Sequence, residues 1–143
     1  MNKPNEIPIL TTRLLQQTSG QIFSDSASRG RYATDASIYQ TMPKAVFIPK
    51  TADDVVAAIG IAAELSVPIL ARGGGTSQCG QTTGAALVID NSPHFRKLLH
   101  LDLEEKTVEV EPGMVLDHLN QLLKPHQLWF PVDVSTSGQA TIG

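Results

Sequence analysis

An α+β fold is predicted: a small parallel βαβ subdomain followed by the beginning of a mixed or antiparallel second subdomain. Three observations carry this reading. The short apolar runs at 45–48, 67–71 and 86–89 have the composition of buried strands. A helical 3.6-residue pattern separates the first two. After residue 98 the pattern changes to period two, which marks strands with one wet face.

The elements follow in order. Residues 1–41 read as an N-terminal helical arm and loop, in which Ile9, Leu10, Leu14 and Leu15 form one face of a short helix ended near Ser19-Gly20. The polar stretch from Ser24 to Arg31 is expected to be a surface loop. Residues 42–143 form the second unit. Its first strand is stopped by Pro49, and Thr51 then caps a helix with Asp53 and Asp54 at its positive end. Val55, Val56, Ile59, Ala62 and Ala63 are its expected inward stripe. Pro68 stands near the start of the second strand. Three such strands with a crossover helix imply a small parallel sheet covered on at least one face. Leu99, Leu101 and Leu103 then alternate with His100 and Asp102, and Val108 and Val110 with Glu109 and Glu111. This predicts a hairpin turned at Glu104-Glu105-Lys106. Pro112-Gly113 breaks it, and Val115, Leu116, Leu119, Leu122 and Leu123 mark an amphipathic helix stopped by Pro125. From Trp129 onward Pro, Ser, Thr and Gly punctuation dominates without a cap or closing strand, and the chain reads as cut.

Composition narrows the function. A chain of 143 residues, 41% hydrophobic and 17% charged, can bury a core and is not disordered. The net charge of −3 divides into +1 over residues 1–72 and −4 over 73–143. Lys and Arg nowhere cluster with aromatics, and aromatics are only 5%, so no nucleic-acid partner is expected. No apolar run has transmembrane length, so no transmembrane segment is expected. Asn5, Glu6 and Pro8 interrupt any basic-then-apolar leader. A single cysteine, Cys79, forbids an internal disulfide and a multi-Cys zinc site. The expected location is cytoplasmic, with a peripheral place at the inner face of the membrane open to a longer protein.

The run Arg72-Gly73-Gly74-Gly75-Thr76-Ser77-Gln78-Cys79-Gly80-Gln81 follows an expected strand and carries the functional signal. Three glycines allow positive φ and close approach of the backbone to a ligand. Successive N–H groups in such a turn make a concave anion site. Thr76 and Ser77 add hydroxyls and Arg72 a positive charge, a set suited to phosphate or pyrophosphate. A flexible turn where only glycine fits is the bland alternative. Two common nucleotide loops fail. Gln78 stands where a dinucleotide fingerprint needs its third glycine, and no amphipathic helix follows. Gly75 and Gly80 have the spacing of an NTPase loop, but Gln81-Thr82 lacks its lysine.

This loop resembles the pyrophosphate loop of the FAD-linked oxidases, the superfamily of vanillyl-alcohol oxidase and p-cresol methylhydroxylase. Within it the likeness is closest to D-lactate dehydrogenases and the glycolate oxidase flavin subunit. Tyr32-Ala-Thr-Asp35-Ala-Ser37-Ile-Tyr39, Pro43-Lys-Ala-Val46, Val108-Glu-Val-Glu-Pro112-Gly113, Pro131-Val-Asp133 and Ala140-Thr141-Ile142-Gly143 match in the same order, so that the resemblance covers 29–143. It implies that 42–143 is the N-terminal part of a PCMH-type FAD-binding domain, incomplete at its C-terminus. Residues 72–77 would wrap the FAD pyrophosphate, with Gly80 and Gln81 closing the loop. Pro131, Asp133 and Ser135 match a segment passing near the flavin, and Thr141, Ile142 and Gly143 a further cofactor-binding turn. Covalent members have a histidine where Thr76 stands, so FAD is expected to be held non-covalently.

The remaining polar residues invite plainer readings. His94, His100, His118 and His126 lack metal-ligand spacing. Cys79 reads as a packing residue beside the cofactor rather than a reactive thiol. Asp35 and Ser37 suit an Asx turn, with bracing and cofactor contact both open. Glu104, Glu105, Glu109 and Glu111 read as solvated, Ser135 and Ser137 lack a nucleophile context, and no catalytic residue is assigned. The implied function is the FAD-binding portion of an oxidoreductase of D-2-hydroxy acids such as lactate or glycolate. The substrate would be met by a missing cap domain, and an iron–sulfur domain, quinone, cytochrome or oxygen would accept the electrons. The alternatives are a non-catalytic nucleotide- or diphosphate-binding module and an inactive fragment.

Overall fold

The computed structural model describes residues 6–143; the first five residues of the expected arm, Asn5 among them, lie outside that range. The chain runs α1 (Glu6–Gln17), β1 (Gln21–Phe23), α2 (Ser26–Gly30), β2 (Ala45–Ile48), α3 (Ala52–Leu65), β3 (Ile69–Arg72) and β4 (Leu87–Asp90). There follow β5 (Leu98–Asp102), β6 (Thr107–Val110), α4 (Leu116–Leu123) and a 3-10 turn at Lys124–His126. Strands β1 to β4 make one sheet in the order β1-β2-β4-β3, and β5 pairs with β6 in a second. The β2-α3-β3 crossover leaves a gap that β4 fills, pairing in parallel with both neighbours (Ala45↔Leu87↔Ile69). Central β4 is buried throughout. Strand β3 is an edge, so Ile69 and Ala71 are exposed, where the apolar run alone suggests full burial.

The first core joins Leu10 and Leu14 of α1 to Ala45 and Phe47 of β2, Ala58, Ile61 and Ala62 of α3, and Leu87 and Ile89 of β4. The N-terminal segment is therefore packed into the sheet, and β1, which has no sequence signature, pairs antiparallel with β2. Ile9 and Leu15 are exposed, so the buried face of α1 is narrower than expected. Helix α3 is also rotated from the expected stripe: Asp54, Ala58, Ile61 and Ala62 face inward, while Val56 and Ile59 are exposed. Asp54 explains this. Its carboxylate accepts hydrogen bonds from Ser19 N–H (2.8 Å), Ser19 Oγ (2.9 Å), Lys50 N–H (2.9 Å) and Thr51 N–H (3.2 Å), which makes an inward carboxylate tolerable. Burial pushes its pKa up, but those donors prevail and hold it below the usual carboxylate value.

The second core packs Met114, Leu119 and Leu123 against Leu98, Leu101, Val108, Val110, Leu128 and Phe130. An irregularity between Leu98 and His100 shifts the β5 register, so Leu98 and Leu101 point inward while Leu99 and Leu103 are exposed. Helix α4 turns Leu116, Leu119 and Leu123 inward, and Leu122 is partly exposed. Its N-terminus has no side-chain cap. Instead, Leu116 N–H donates to the Ala140 carbonyl (3.0 Å) and Asp117 N–H to that of Ser137 (3.2 Å). Beyond them, Ile142 N–H donates to Met114 O and Gly143 N–H to Pro112 O, both at 2.9 Å. These bonds hold the segment 137–143 against residues 112–117.

Candidate cofactor site

The glycine loop leaves β3 at Arg72, and Asn91 N–H donates to the Arg72 carbonyl at 3.1 Å as the sheet ends. Gly75 (φ 67°) and Gly80 (φ 79°) take left-handed conformations that a Cβ disfavours. Gly73 and Gly74 are bare for another reason. A Cβ on Gly73 would lie 1.9 Å from Thr141 Oγ1, and one on Gly74 would lie 2.1 Å from the Gln139 carbonyl. The segment 139–143 thus closes over the loop. Gly74 N–H donates to Thr141 Oγ1 (3.2 Å); among the described residues, the amides of Gly75, Thr76, Ser77 and Gln78 have no protein acceptor.

Those amides border a cavity of 330 Å³ lined by Gly73 to Cys79, Gln81, Thr82, Thr141 and Gly143, with no Asp or Glu side chain in its wall. A second cavity of 330 Å³ shares Thr76 and Gln78 and adds Ser135 and Thr136. The structure therefore brings together Gly73, Gly74, Gly75, Thr76, Ser77, Gln81, Thr141 and Gly143, with Ser135 next door. Gly80 lies in the same loop, with the Tyr39 ring against its α-carbon. Pro131 lies elsewhere, in a mostly apolar 420 Å³ cavity with Leu101, Trp129 and Phe130. Asp133 is exposed, and Ile142 is partly exposed with its N–H used by Met114. The Ser77 hydroxyl donates to Gln81 Oε1 and accepts from Cys79 N–H, so it shapes the loop from within.

Arg72 is not in the cavity wall. Its Nη1 donates to the carbonyls of Tyr32 (3.3 Å) and Thr82 (3.1 Å), its Nη2 to that of Thr34 (2.8 Å), and its guanidinium lies 5.2 Å from the Tyr32 ring centre. Tyr32 in turn donates to Asp90 Oδ2 (2.8 Å); burial, then the Asp90 carboxylate, push the phenol pKa up to about 12. Asp35 accepts from Ser37 N–H (2.9 Å), the expected Asx turn, and from the Thr82 hydroxyl (2.9 Å). Hydrogen bonds from Ser37, followed by those from Thr82, hold its pKa at about 2, against the opposing effect of burial. Thr34, Thr82, Asp90 and Gln139 carry no sequence signal for these roles. His94, His100, His118 and His126 are exposed, and the described residues contain no metal-holding cluster.

Unpaired backbone N–H groups in a wall without Asp or Glu side chains suit an anionic group. The diphosphate of FAD fits that donor set. The FAD binding domain family matches residues 43–143. The chain is 43% identical over 127 residues to D-2-hydroxyglutarate dehydrogenase of Pseudomonas putida, covering 87% of this chain and 13% of that protein. It is 36% identical over 135 residues to glycolate oxidase subunit GlcD of Bacillus subtilis, covering 92% and 28%. The chain therefore spans a small part of the length of these relatives. Among solved structures, alkyldihydroxyacetonephosphate synthase aligns with a TM-score of 0.76 at 19% identity over 100% of this chain and 28% of its own. Substrate-bound p-cresol methylhydroxylase aligns at 0.69 and 18% identity over 88% and 26%. Among the described residues no helix is long and apolar enough to cross a membrane. The fold is that of the p-cresol methylhydroxylase type, and the chain belongs to the FAD binding domain family.

Proposed function

We propose that the chain is the FAD-binding portion of a flavin-dependent dehydrogenase or oxidase of D-2-hydroxy acids. The observation that carries this is a cavity with no Asp or Glu side chain in its wall, bordered by acceptor-less loop amides and by Thr141. In this reading Gly73, Gly74, Gly75, Thr76 and Ser77 surround the diphosphate, with Gly80 and Gln81 fixing the loop's return. Thr141 and Gly143 border the diphosphate from the opposite side, and Ser135 flanks the adjoining space. Thr76 has no imidazole with which to bond the flavin, so binding is non-covalent. When bound, the flavin supplies acceptance of a hydride equivalent from the α-carbon of the hydroxy acid. This chain's residues hold the cofactor by its phosphates, substrate contacts come from a cap domain, and an iron–sulfur domain, quinone, cytochrome or oxygen accepts the electrons. Similarity to D-2-hydroxyglutarate dehydrogenases and a glycolate oxidase subunit supports the substrate class. Residues 42–143 form the FAD-binding unit in a cytoplasmic protein.

The test is competition. The protein is titrated with FAD, followed by flavin fluorescence, against ADP-ribose and riboflavin. ADP-ribose, which carries the diphosphate, is expected to displace FAD, and riboflavin, which lacks it, to do so at least tenfold more weakly. Denaturation is expected to release all the flavin. Equal potency of riboflavin would remove the diphosphate cradle, and flavin that stays attached would remove the non-covalent assignment.

A further inference from the structure

Resting on the diphosphate reading above, we propose that Arg72 and Asp35 are positioning residues that brace the glycine loop from behind against residues 32–35, and that Arg72 is not an ion-pairing ligand of the cofactor. Four placements carry this. The Arg72 guanidinium serves three carbonyls, of Tyr32, Thr34 and Thr82, so one planar fork ties the root of the loop to its return and to the preceding segment. The loop curls over that fork: the position of a Cβ on Gly75 is 2.5 Å from Arg72 Nη2. Asp35 fixes the same return through the Thr82 hydroxyl. The Tyr32 ring lies against the guanidinium and its hydroxyl reaches Asp90, which pairs with Arg72 across β3 and β4.

Tyr32, Thr34 and Asp35 all precede the region 43–143 that the family match covers. The segment between α2 and β2 is thereby part of the cofactor site. Holding the loop amides ready before the ligand arrives lowers the ordering cost of binding.

Charge and brace predict opposite outcomes. Asp35→Ala removes a negative charge near an anion site, so electrostatics alone predicts tighter binding of ADP-ribose. The brace predicts binding about fivefold weaker. Arg72→Lys keeps the charge but replaces the fork with one ammonium; the brace predicts a loss of about tenfold, close to that of Arg72→Met, with an unchanged salt dependence. Both are measured on the full polypeptide by calorimetry well below the melting temperature. ADP-ribose affinity in Arg72→Lys within twofold of wild type, or unchanged or tighter binding by Asp35→Ala, overturns the brace. Absence of ADP-ribose binding by the wild type instead overturns the underlying diphosphate reading, which separates the two failures.

Discussion

Gly73 and Gly74 differ from Gly75 and Gly80 in why they lack a side chain, although one sequence pattern contains all four. The first pair sits under the 139–143 segment, where a Cβ would fall 1.9 Å from Thr141 Oγ1 or 2.1 Å from the Gln139 carbonyl. The second pair has positive φ, and any Cβ there carries backbone strain. The first pair is thus constrained by the packing of residues 139–143 over the loop, the second by the path of the loop itself. Bare backbone in a glycine loop need not answer to a ligand; here half of it already answers to the protein.

The most disruptive way to break this distinction is Gly74→Val. Its obstacle is a backbone carbonyl that cannot swing aside, so the tail must lift away. Overpacking of this kind costs ~1–3 kcal/mol, and losing Thr141 from the wall should abolish FAD retention. Far-UV circular dichroism should keep the signal of α3, which lies in the first core. Retained FAD affinity in a folded Gly74→Val protein would show that closure by 139–143 is not needed.

Gly80→Ala probes the other kind of glycine and should act more locally. It combines a φ of 79° with a Cβ 2.5 Å from the Tyr39 ring. The left-handed conformation costs ~1–2 kcal/mol for a residue with a Cβ, and the ring contact adds to it. Combining it with Tyr39→Ala removes the contact and leaves the strain. A double-mutant cycle by thermal or urea unfolding should then give a favourable coupling of ~0.5–1 kcal/mol. Strict additivity would place the whole cost in the backbone.

How much of this was legible in the sequence follows from the range of each cause. The Thr51 cap and the helix that follows it are local, and both stand as expected apart from the rotated face. The glycine loop after β3 was visible because its composition is extreme. The edge position of β3 was not, since strand order depends on β4 inserting between β2 and β3. The shifted register at Leu98/His100 defeated strict alternation, which counts Leu99 as inward although it is exposed. Thr141 was singled out by family resemblance and lies against Gly73; Gln139, beside it over the loop, contributes only a backbone carbonyl, and any residue type has one. Arg72 was legible as a charge at the loop's entrance, but its three carbonyl partners were not, because a side chain's charge does not say which carbonyls it will meet.

The smallest lever acts on the same loop through Asp35, and its sign is fixed. Hydrogen bonds from Ser37 and Thr82 hold its pKa at about 2, below the ordinary carboxylate value of 3.8. A depressed carboxylate adds stability that is fully present above the unfolded pKa and is lost as pH falls through the folded one. Asp35 is partly solvated, so screening reduces the effect. Asp35→Asn keeps an acceptor but not the charge. Its unfolding midpoint in urea should lie below that of wild type at neutral pH, and the gap should narrow between about pH 4 and pH 2. Asp54, also depressed, is common to both proteins and cancels from the difference. A gap that stays constant across this window would show that the ionised state of Asp35 adds nothing to the loop's anchoring.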